Sequence, residues 1–499
     1  MLAVGLLSGG ATLGGCSLGL DFDDECENTA ACVATDSTLR CIDGFCEPAP
    51  LVEPGGTCNR IIGSDPRVAT DTILLGSVLP RTGALGPFGG AMENAIELAI
   101  AEINEAGGVN GRKFGVLTCD SGSNVEIAVA SAEHLTRIAR VKAVIGAASS
   151  STTINVFNDV IKDAGVLLIS PASTSPAITD LPDNGLLWRT APSDAIQGQA
   201  IAGYLQEKGY QRVTVVYRDD AYGLGLSGAI RDAYCNGTCP STFTSTLYGA
   251  QADTQETLSL QLSQQQAIAE SFIAVTPDAV VLISFPTDGA QFLNRFQNAP
   301  FDVIVSDGMK DPSLLGQGAA GFVVGDPEIF DKKVACRIVG TNPASPSGAE
   351  FDEFRNKYRA RFSNEEPRTF SANAFDAAYV VGLAYAGGIG AGGVTDGRTI
   401  ADGLARLSAG IEVTLGFDDW NTAVGVLAAN GESTVDITGI SGPLDFDPVI
   451  GEGSSGTEAW RFDLGLVTTD DLGVVLDAQG MYKPGIVSER ETSDPCLSL

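Results

Sequence analysis

Two short stretches of this chain gather hydroxyl side chains just after apolar runs. In Gly146-Ala147-Ala148-Ser149-Ser150-Ser151-Thr152-Thr153, five consecutive Ser and Thr residues follow Lys142-Ala143-Val144-Ile145-Gly146. In Ser170-Pro171-Ala172-Ser173-Thr174-Ser175-Pro176, a second group follows Val166-Leu167-Leu168-Ile169-Ser170, and its two prolines stiffen the backbone. Hydroxyls donate to anions, and the free N–H groups at a helix start carry the positive end of the helix dipole. One such residue would merely cap a helix, but five in a row exceed what a cap uses. The chemistry on offer is capture of a ligand anion, a carboxylate foremost, by residues such as Ser150, Ser151, Ser173 and Thr174.

A complementary set lies later in the chain. Asp219-Asp220-Ala221-Tyr222-Gly223, Phe285-Pro286-Thr287-Asp288 and Ser306-Asp307-Gly308 each follow an apolar run. They offer aromatic walls in Tyr222 and Phe285 and a carboxylate in Asp307. A carboxylate opposite a hydroxyl-lined anion site suits a zwitterion. Each position also has an ordinary reading: the aromatics as core residues, and Asp307 as a turn residue before Gly308.

Other chemistries find little footing. The lone histidine, His134, sits in a helical pattern, where a structural role is the commoner one. No HExxH, GxSxG or P-loop pattern occurs. The Gly-rich loop Gly83-Ala84-Leu85-Gly86-Pro87-Phe88-Gly89 is not GxGxxG, and Pro87 and Phe88 crowd the place of a pyrophosphate. We therefore expect no enzyme activity and no cofactor. A formal charge of −32 without a basic stripe speaks against nucleic acid. The four close cysteines could bind zinc, but they form no CxxC pair and have no histidine nearby, so we expect no metal site.

The elements that must carry these loops alternate strand and helix. Ile73 to Leu79 is a continuous apolar run, as for a strand buried on both faces. Met92, Ala95, Ile96, Ala99, Ile100 and Ile103 recur at helical spacing, and Gly107-Gly108 ends that helix. Strands follow at Lys113–Thr118, Lys142–Gly146 and Val166–Ser170, with helices over Glu126–Arg140 and Thr152–Ala164 between them. The pattern restarts near residue 200, with strands at Val213–Tyr217 and Ala279–Phe285, and helices return near 349–362 and 370–387. Such alternation predicts an α/β fold of doubly wound parallel sheets in two lobes. Ligands of such sheets bind at the carboxyl ends of the strands.

Cysteine usage and the amino terminus bear on location. Besides Cys16 there are ten cysteines, an even number that could all pair, which argues for an oxidising compartment. Cys26, Cys32, Cys41 and Cys46 read as a small knot with two disulfides, whose three possible pairings sequence leaves open. We expect Cys235 to pair with Cys239, Cys58 with Cys119 and Cys336 with Cys496. Residues 1–15 are uncharged and apolar, too short to span a bilayer, and read as an export signal lacking a basic start. Leu13-Gly14-Gly15-Cys16 resembles a bacterial lipobox, which makes Cys16 the lipidated first residue of a membrane-anchored lipoprotein. Residues 16–57 are then a Cys-rich stalk and linker.

Taken as a series, the motifs resemble the type I periplasmic binding proteins of the leucine/isoleucine/valine group. The matching stretches are Thr82-Gly83 through Phe88-Gly89, Glu102-Ile103-Asn104 with Ala106 to Gly111, Val144-Ile145-Gly146 with Ser149 to Thr152, Ser170 to Pro176, Trp188-Arg189-Thr190, Tyr222-Gly223 and Gly442-Pro443-Leu444. Order and spacing agree over about residues 72–488. The resemblance implies two lobes joined by three crossovers and closing on ligand: residues 72–190 and 339–442 in the first, 191–338 and 443–488 in the second, with 489–499 a tail. It implies carboxylate-binding hydroxyls at Ser150 or Ser151 and at Thr174, with a contact from the Ala172 backbone. It places a lid aromatic at Phe88, a cleft aromatic at Tyr222, and an ammonium-pairing acid at Asp307. Phe285 stands where a Tyr is frequent, and Asp307 is shorter than the Glu otherwise expected. The implied role is delivery of a small amino acid or related metabolite to an ABC permease from the periplasmic side. The alternative is a sensing or surface-recognition module of the same fold.

Overall fold

A computed structural model describes residues 31–32, 39–42, 45–240, 242–249, 255–296, 298–311, 314, 336–344, 348–394, 396–453, 456–463, 468–476 and 481–483. The chain separates into two compact units, with the division between Pro50 and Leu51. In the first, strands β1 (Leu39–Ile42) and β2 (Phe45–Pro48) form an antiparallel hairpin. A disulfide ties Cys32 to Cys46, one link of the expected knot. Cys16 and Cys26 lie outside the described residues.

The larger unit holds two main sheets. In the first, β4 (Ile73–Leu79), β5 (Phe114–Asp120), β6 (Ala143–Gly146), β7 (Leu167–Ser170) and β8 (Leu187–Arg189) run parallel. β3 (Cys58–Gly63) joins β5 as an antiparallel edge, giving the order β3-β5-β4-β6-β7-β8. Between the strands run α1 (Gly86–Glu105), α2 (Val125–Glu133), α3 (Ser150–Val156) and α4 (Pro176–Thr179). Every residue of β6, β7 and β8 is buried, as the apolar runs predict for strands covered on both faces.

The second sheet repeats the winding. After α5 (Asp194–Glu207) come β9 (Val213–Arg218), α6 (Ala221–Cys235), β10 (Phe243–Tyr248), α7 (Gln255–Val275), β11 (Ala279–Ile283), α8 (Pro286–Arg295), β12 (Asp302–Val305) and β13 (Ile338–Pro343). These strands are parallel in the order β10-β9-β11-β12-β13. The sheet is extended by antiparallel β17 (Thr457–Asp463) and β18 (Thr468–Leu476). In each sheet the chain's winding direction reverses once, beside β4 in the first and beside β9 in the second. The crevice outside the strand ends at such a switch point is where ligands of open α/β sheets bind.

The chain passes between the sheets three times. It leaves β8 for α5, returns after β13, and crosses again before β17. The returning stretch adds α9 (Ala349–Arg361), α10 (Ser371–Gly390), α11 (Gly397–Leu404) and α12 (Phe417–Ala429) to the first lobe. It also adds a small sheet of β14 (Ile411–Thr414), β15 (Val435–Gly439) and β16 (Gly442–Pro443). α10 is buried on every side through Gly388, as expected of a helix apolar all round. Its one charge, Asp376, accepts hydrogen bonds from the Ile440 and Ser441 amides (2.8 and 2.7 Å) and the Ser441 hydroxyl (2.6 Å).

The expected lobe limits shift by a few residues. Residues 339–343 pair in the second sheet as part of β13, because Val339 and Gly340 join the parallel edge of β12 and Gly340 to Pro343 pair with antiparallel β17. Leu444 and Phe446 pack in the core of the first lobe, so the last crossing falls beyond them. β3 belongs to the first sheet although its residues precede the expected start at 72. Cys58–Cys119 and Cys235–Cys239 are bonded as expected. Cys336 is in a disulfide, while Cys496 lies outside the described residues. His134 is buried, with Nε2 against the Leu51 carbonyl (2.9 Å) and Nδ1 near Glu53 (3.2 Å), a structural setting. No described helix is long and apolar enough to cross a membrane.

The disulfide Cys58–Cys119 pins the edge strand β3 to β5 across 61 residues of chain. Replacing both cysteines by Ser is expected to lower unfolding free energy by about 2–5 kcal/mol. Urea denaturation under non-reducing conditions checks this.

Candidate functional site

The hydroxyl-rich turns begin where β6 and β7 end. β6 reaches its turn through Gly146, whose φ is +144° and whose Cβ, if present, would lie 2.4 Å from the Val78 carbonyl oxygen. Glycine is therefore required there. Ser149 is the N-cap of α3, accepting from the Thr152 amide (3.4 Å). Ser175 caps α4 in the same way, accepting from the Ala177 amide (3.3 Å).

The two turns are joined by their own hydroxyls. Ser170 Oγ donates to the Ala147 carbonyl (2.7 Å) and accepts from the Ser173 amide (3.0 Å). Ser173 Oγ lies 2.6 Å from Thr153 Oγ1, and the Ser175 amide donates to Ser150 Oγ (3.2 Å). Behind them Arg189 is almost fully buried. Its guanidinium donates to the Ser173 and Ser175 carbonyls (3.3 and 2.9 Å) and to Thr179 (2.7 Å), and pairs with Glu452. The cation thus holds the second turn by its backbone and is itself neutralised.

From the second sheet, Tyr222 stands at the start of α6, whose N-cap is Asp220. Its hydroxyl donates to Asp307 Oδ1 (2.5 Å) and contacts Ser306 Oγ (2.8 Å). Its ring stacks on Phe285 with centroids 5.4 Å apart and planes within 3°. Arg218 lies over the Phe285 ring at 4.3 Å from its centroid and is held by Asp220 (2.8 Å) and Asp288. Burial pushes the Asp307 carboxyl up, while Tyr222, the Gly308 amide and the Gln197 side chain pull it back. Burial, and then the charge of Asp307, push the Tyr222 hydroxyl well up, so it stays a donor.

Between these groups lies a cavity with about 440 Å³ of space free of protein atoms, part of it open to solvent. Phe88, Leu85 and Met92 line it beyond β4, Ala148, Ser149 and Ser150 beyond β6, and Ala172 and Thr174 beyond β7. The second lobe supplies Tyr222, Phe285, Asp307 and Gly308, and Phe370 at the start of α10 completes the wall. The lining is largely apolar with a few convergent polar groups, the usual make-up of a small-molecule site. The lining suits a solute with a polar end and an apolar body.

The structure thus brings Phe88, Ser150, Ala172, Thr174, Tyr222, Phe285 and Asp307 around one space. It does not bring Ser151 and Ser173 there. Ser151 Oγ accepts the Ala221 amide (2.9 Å), a bond from the first lobe to the second. Ser173 is fully buried behind the wall, where its hydroxyl joins the two turns. In a run of five hydroxyls, helix geometry turns only some toward the cavity. Beside the wall residues Leu85, Met92 and Ser149, which the sequence reading had not singled out for the site, two more escaped it. Phe370 has φ +68°, an uncommon left-handed conformation for a bulky side chain, of the kind held at functional sites. Asp194, fully buried on the first turn of α5, bonds Thr174 Oγ1 through Oδ2 (2.8 Å). Only its place after the cap Ser193 marks it in sequence, and that signal means helix start.

This two-lobed architecture, with its cleft at paired switch points, is that of an extracytoplasmic solute receptor. The sequence pattern of the periplasmic binding protein family matches residues 72–431, and the chain belongs to that family. The family is one of solute-binding proteins and not of enzymes, and it works outside the cytoplasm. The Leu/Ile/Val-binding protein of Escherichia coli K12 is 28% identical over 302 residues, covering 58% of this chain and 78% of that protein. The amino acid binding protein of Pseudomonas aeruginosa is 33% identical over 162 residues, covering 32% of this chain and 42% of that protein. Among solved structures, LivJ of Streptococcus pneumoniae with isoleucine matches with a TM-score of 0.58 at 23% identity, over 78% of this chain and 96% of that one. A solute-binding protein of Rhodopseudomonas palustris BisB5 with 3,4-dihydroxybenzoic acid matches with a TM-score of 0.61 at 17% identity, over 83% and 99%. These two structures share the fold.

Tyr222→Phe keeps the stacked ring and removes the donor to buried Asp307. It is expected to destabilise the fold by about 1.5–3 kcal/mol, the loss of one hydrogen bond to a charged group. The shift of the urea midpoint at unchanged slope measures it.

Proposed function

We propose that the cavity captures a small amino acid or related carboxylate for an ABC importer. Ser150, Thr174 and the Ala172 backbone take the carboxylate, and Asp307 takes the ammonium. Phe88, Met92 and Phe370 enclose the apolar side chain. The observation that carries this reading is the placement of the joined hydroxyl turns and the Tyr222–Asp307 pair on the walls of one cavity. The Leu/Ile/Val-binding relatives favour the same ligand class. Ser151 and Ser173 serve as supports: Ser151 ties the lobes, and Ser173 ties the turns.

The main body is anchored through a lipid on Cys16, with residues 16–57 as its stalk and residues 1–15 removed on export. A second reading, a sensing module without transport, is favoured by one observation: the amino-terminal segment forms a compact cystine-bonded unit of its own.

A thermal-shift screen over amino acids, their amides, amines and aryl carboxylates tests the ligand class. A binder at a hundred times its dissociation constant stabilises by about 2.7 kcal/mol. For an amino-acid hit, Asp307→Ala is expected to weaken affinity at least about tenfold, since truncating a buried charge partner costs about 2–5 kcal/mol. Unchanged affinity would remove Asp307 from the ammonium site. Intact-mass analysis should find the mature chain starting at acylated Cys16, and Cys16→Ala should move the protein from the membrane to the soluble fraction.

A further inference from the structure

We propose that the ion pair between Arg368 and Asp311 is a latch between the lobes, seated so that a solute in the cavity and the closed pair stabilise each other. The inference rests on capture of a solute between the lobes and holds whichever solute is taken.

Two short segments meet here, one from each lobe. The turn after β12 runs Asp307-Gly308-Met309-Lys310-Asp311, and the approach to α10 runs Arg368-Thr369-Phe370-Ser371. Each segment reaches the cavity at one point and the other lobe at another. Asp307 and Gly308 line the cavity from the second lobe, and Phe370 lines it from the first. A few residues along, Arg368 pairs with Asp311, and the Thr369 hydroxyl reaches the Lys310 carbonyl (3.5 Å).

Both segments are held by their own lobes. Met309 is fully buried, packed so closely on α8 that a Cβ at Gly289 would lie 2.2 Å from its sulfur. Lys310 pairs with Glu458 (2.9 Å), which also accepts from Asn342 (3.0 Å), on the two strands that border the later crossings, β17 and β13. In the first lobe the Ser371 hydroxyl accepts from the Arg368 amide (3.0 Å), and the Ser371 amide donates back to the Arg368 carbonyl (3.0 Å). Phe370 packs against the first-lobe core. A change in the distance from Asp307 to Phe370 is therefore also a change in the distance from Asp311 to Arg368. The Asp311 side chain is 1% exposed and that of Arg368 31%. Asp311 has given up its water for the guanidinium, and a buried carboxylate that loses its cation is costly. Parting the lobes takes the cation away. A solute touching both walls keeps the two segments at the distance the pair needs, and the pair keeps the walls on the solute. Such coupling is reciprocal, and a buried charge pair acts on escape more than on entry.

Affinity and dissociation rate for L-leucine, with benzoate as the probe should amino acids fail, test the latch in the full chain. Arg368→Gln and Asp311→Asn should each weaken binding about tenfold or more, with the loss in the dissociation rate and the association rate within about threefold of wild type. Arg368→Lys keeps a cation on the segment and should bind within about threefold of wild type. In the double variant Arg368→Gln with Asp311→Asn, the second change should add less than about threefold to the first, because both remove one interaction. Losses that multiply in the double variant, an unchanged dissociation rate in folded Arg368→Gln, or an Arg368→Lys as weak as Arg368→Gln overturn the latch. Binding of benzoate without L-leucine would sink the amino-acid reading, while the same variants would still decide the latch.

Discussion

The site depends on a direct bond between two turns. The Ser175 amide reaches Ser150 Oγ, and Ser173 meets Thr153, so the ends of β6 and β7 are fixed to one another by side chains of the turns themselves. Adjacent parallel strands put these turns side by side. The hydroxyls then satisfy backbone groups that would otherwise be buried without partners. Arg189 completes the arrangement from behind by taking two carbonyls of the second turn. Polar groups that face the cavity are thus held at set positions before any solute arrives, which lowers the entropy cost of binding.

The second lobe answers with a different device. Tyr222 and Phe285 form a stacked wall, and Asp307 is kept in place by the tyrosine hydroxyl and a neighbouring amide. Carboxylate and aromatic wall come from loops after three strands of one sheet, which are rigid supports. Bonds between lobes at Ser151–Ala221 and Ser175–Ala221 link the two halves at the edge of the site. Relative movement of the lobes must break or keep these bonds, so they connect solute capture to lobe geometry.

The sequence came close on architecture because local and global signals agree. Apolar runs such as Ile73–Leu79 fit strands buried on both faces, and the Gly, Ser and Pro residues after them fit strand-end turns. The expected strands and helices lie within a few residues of those found. Where limits moved, as at β13, the cause was pairing with a distant strand, which no local pattern encodes. The local pair Cys235–Cys239 needs only a short turn, whereas one link of the knot required the hairpin to be seen.

By itself the sequence determined the winding of the chain, the presence of two hydroxyl turns, and which residue types could meet a charged solute. These follow from periodicity, strand-end composition and turn chemistry, all short-range properties. Only the tertiary structure decided which hydroxyls face the cavity and which are spent on support, as Ser151 and Ser173 are. It also revealed Phe370 and Asp194, whose positions depend on elements far away in sequence. The physical reason is that a side chain's role depends on its neighbours in space, and a hydroxyl or carboxyl carries no mark in the chain of where its hydrogen bond will go.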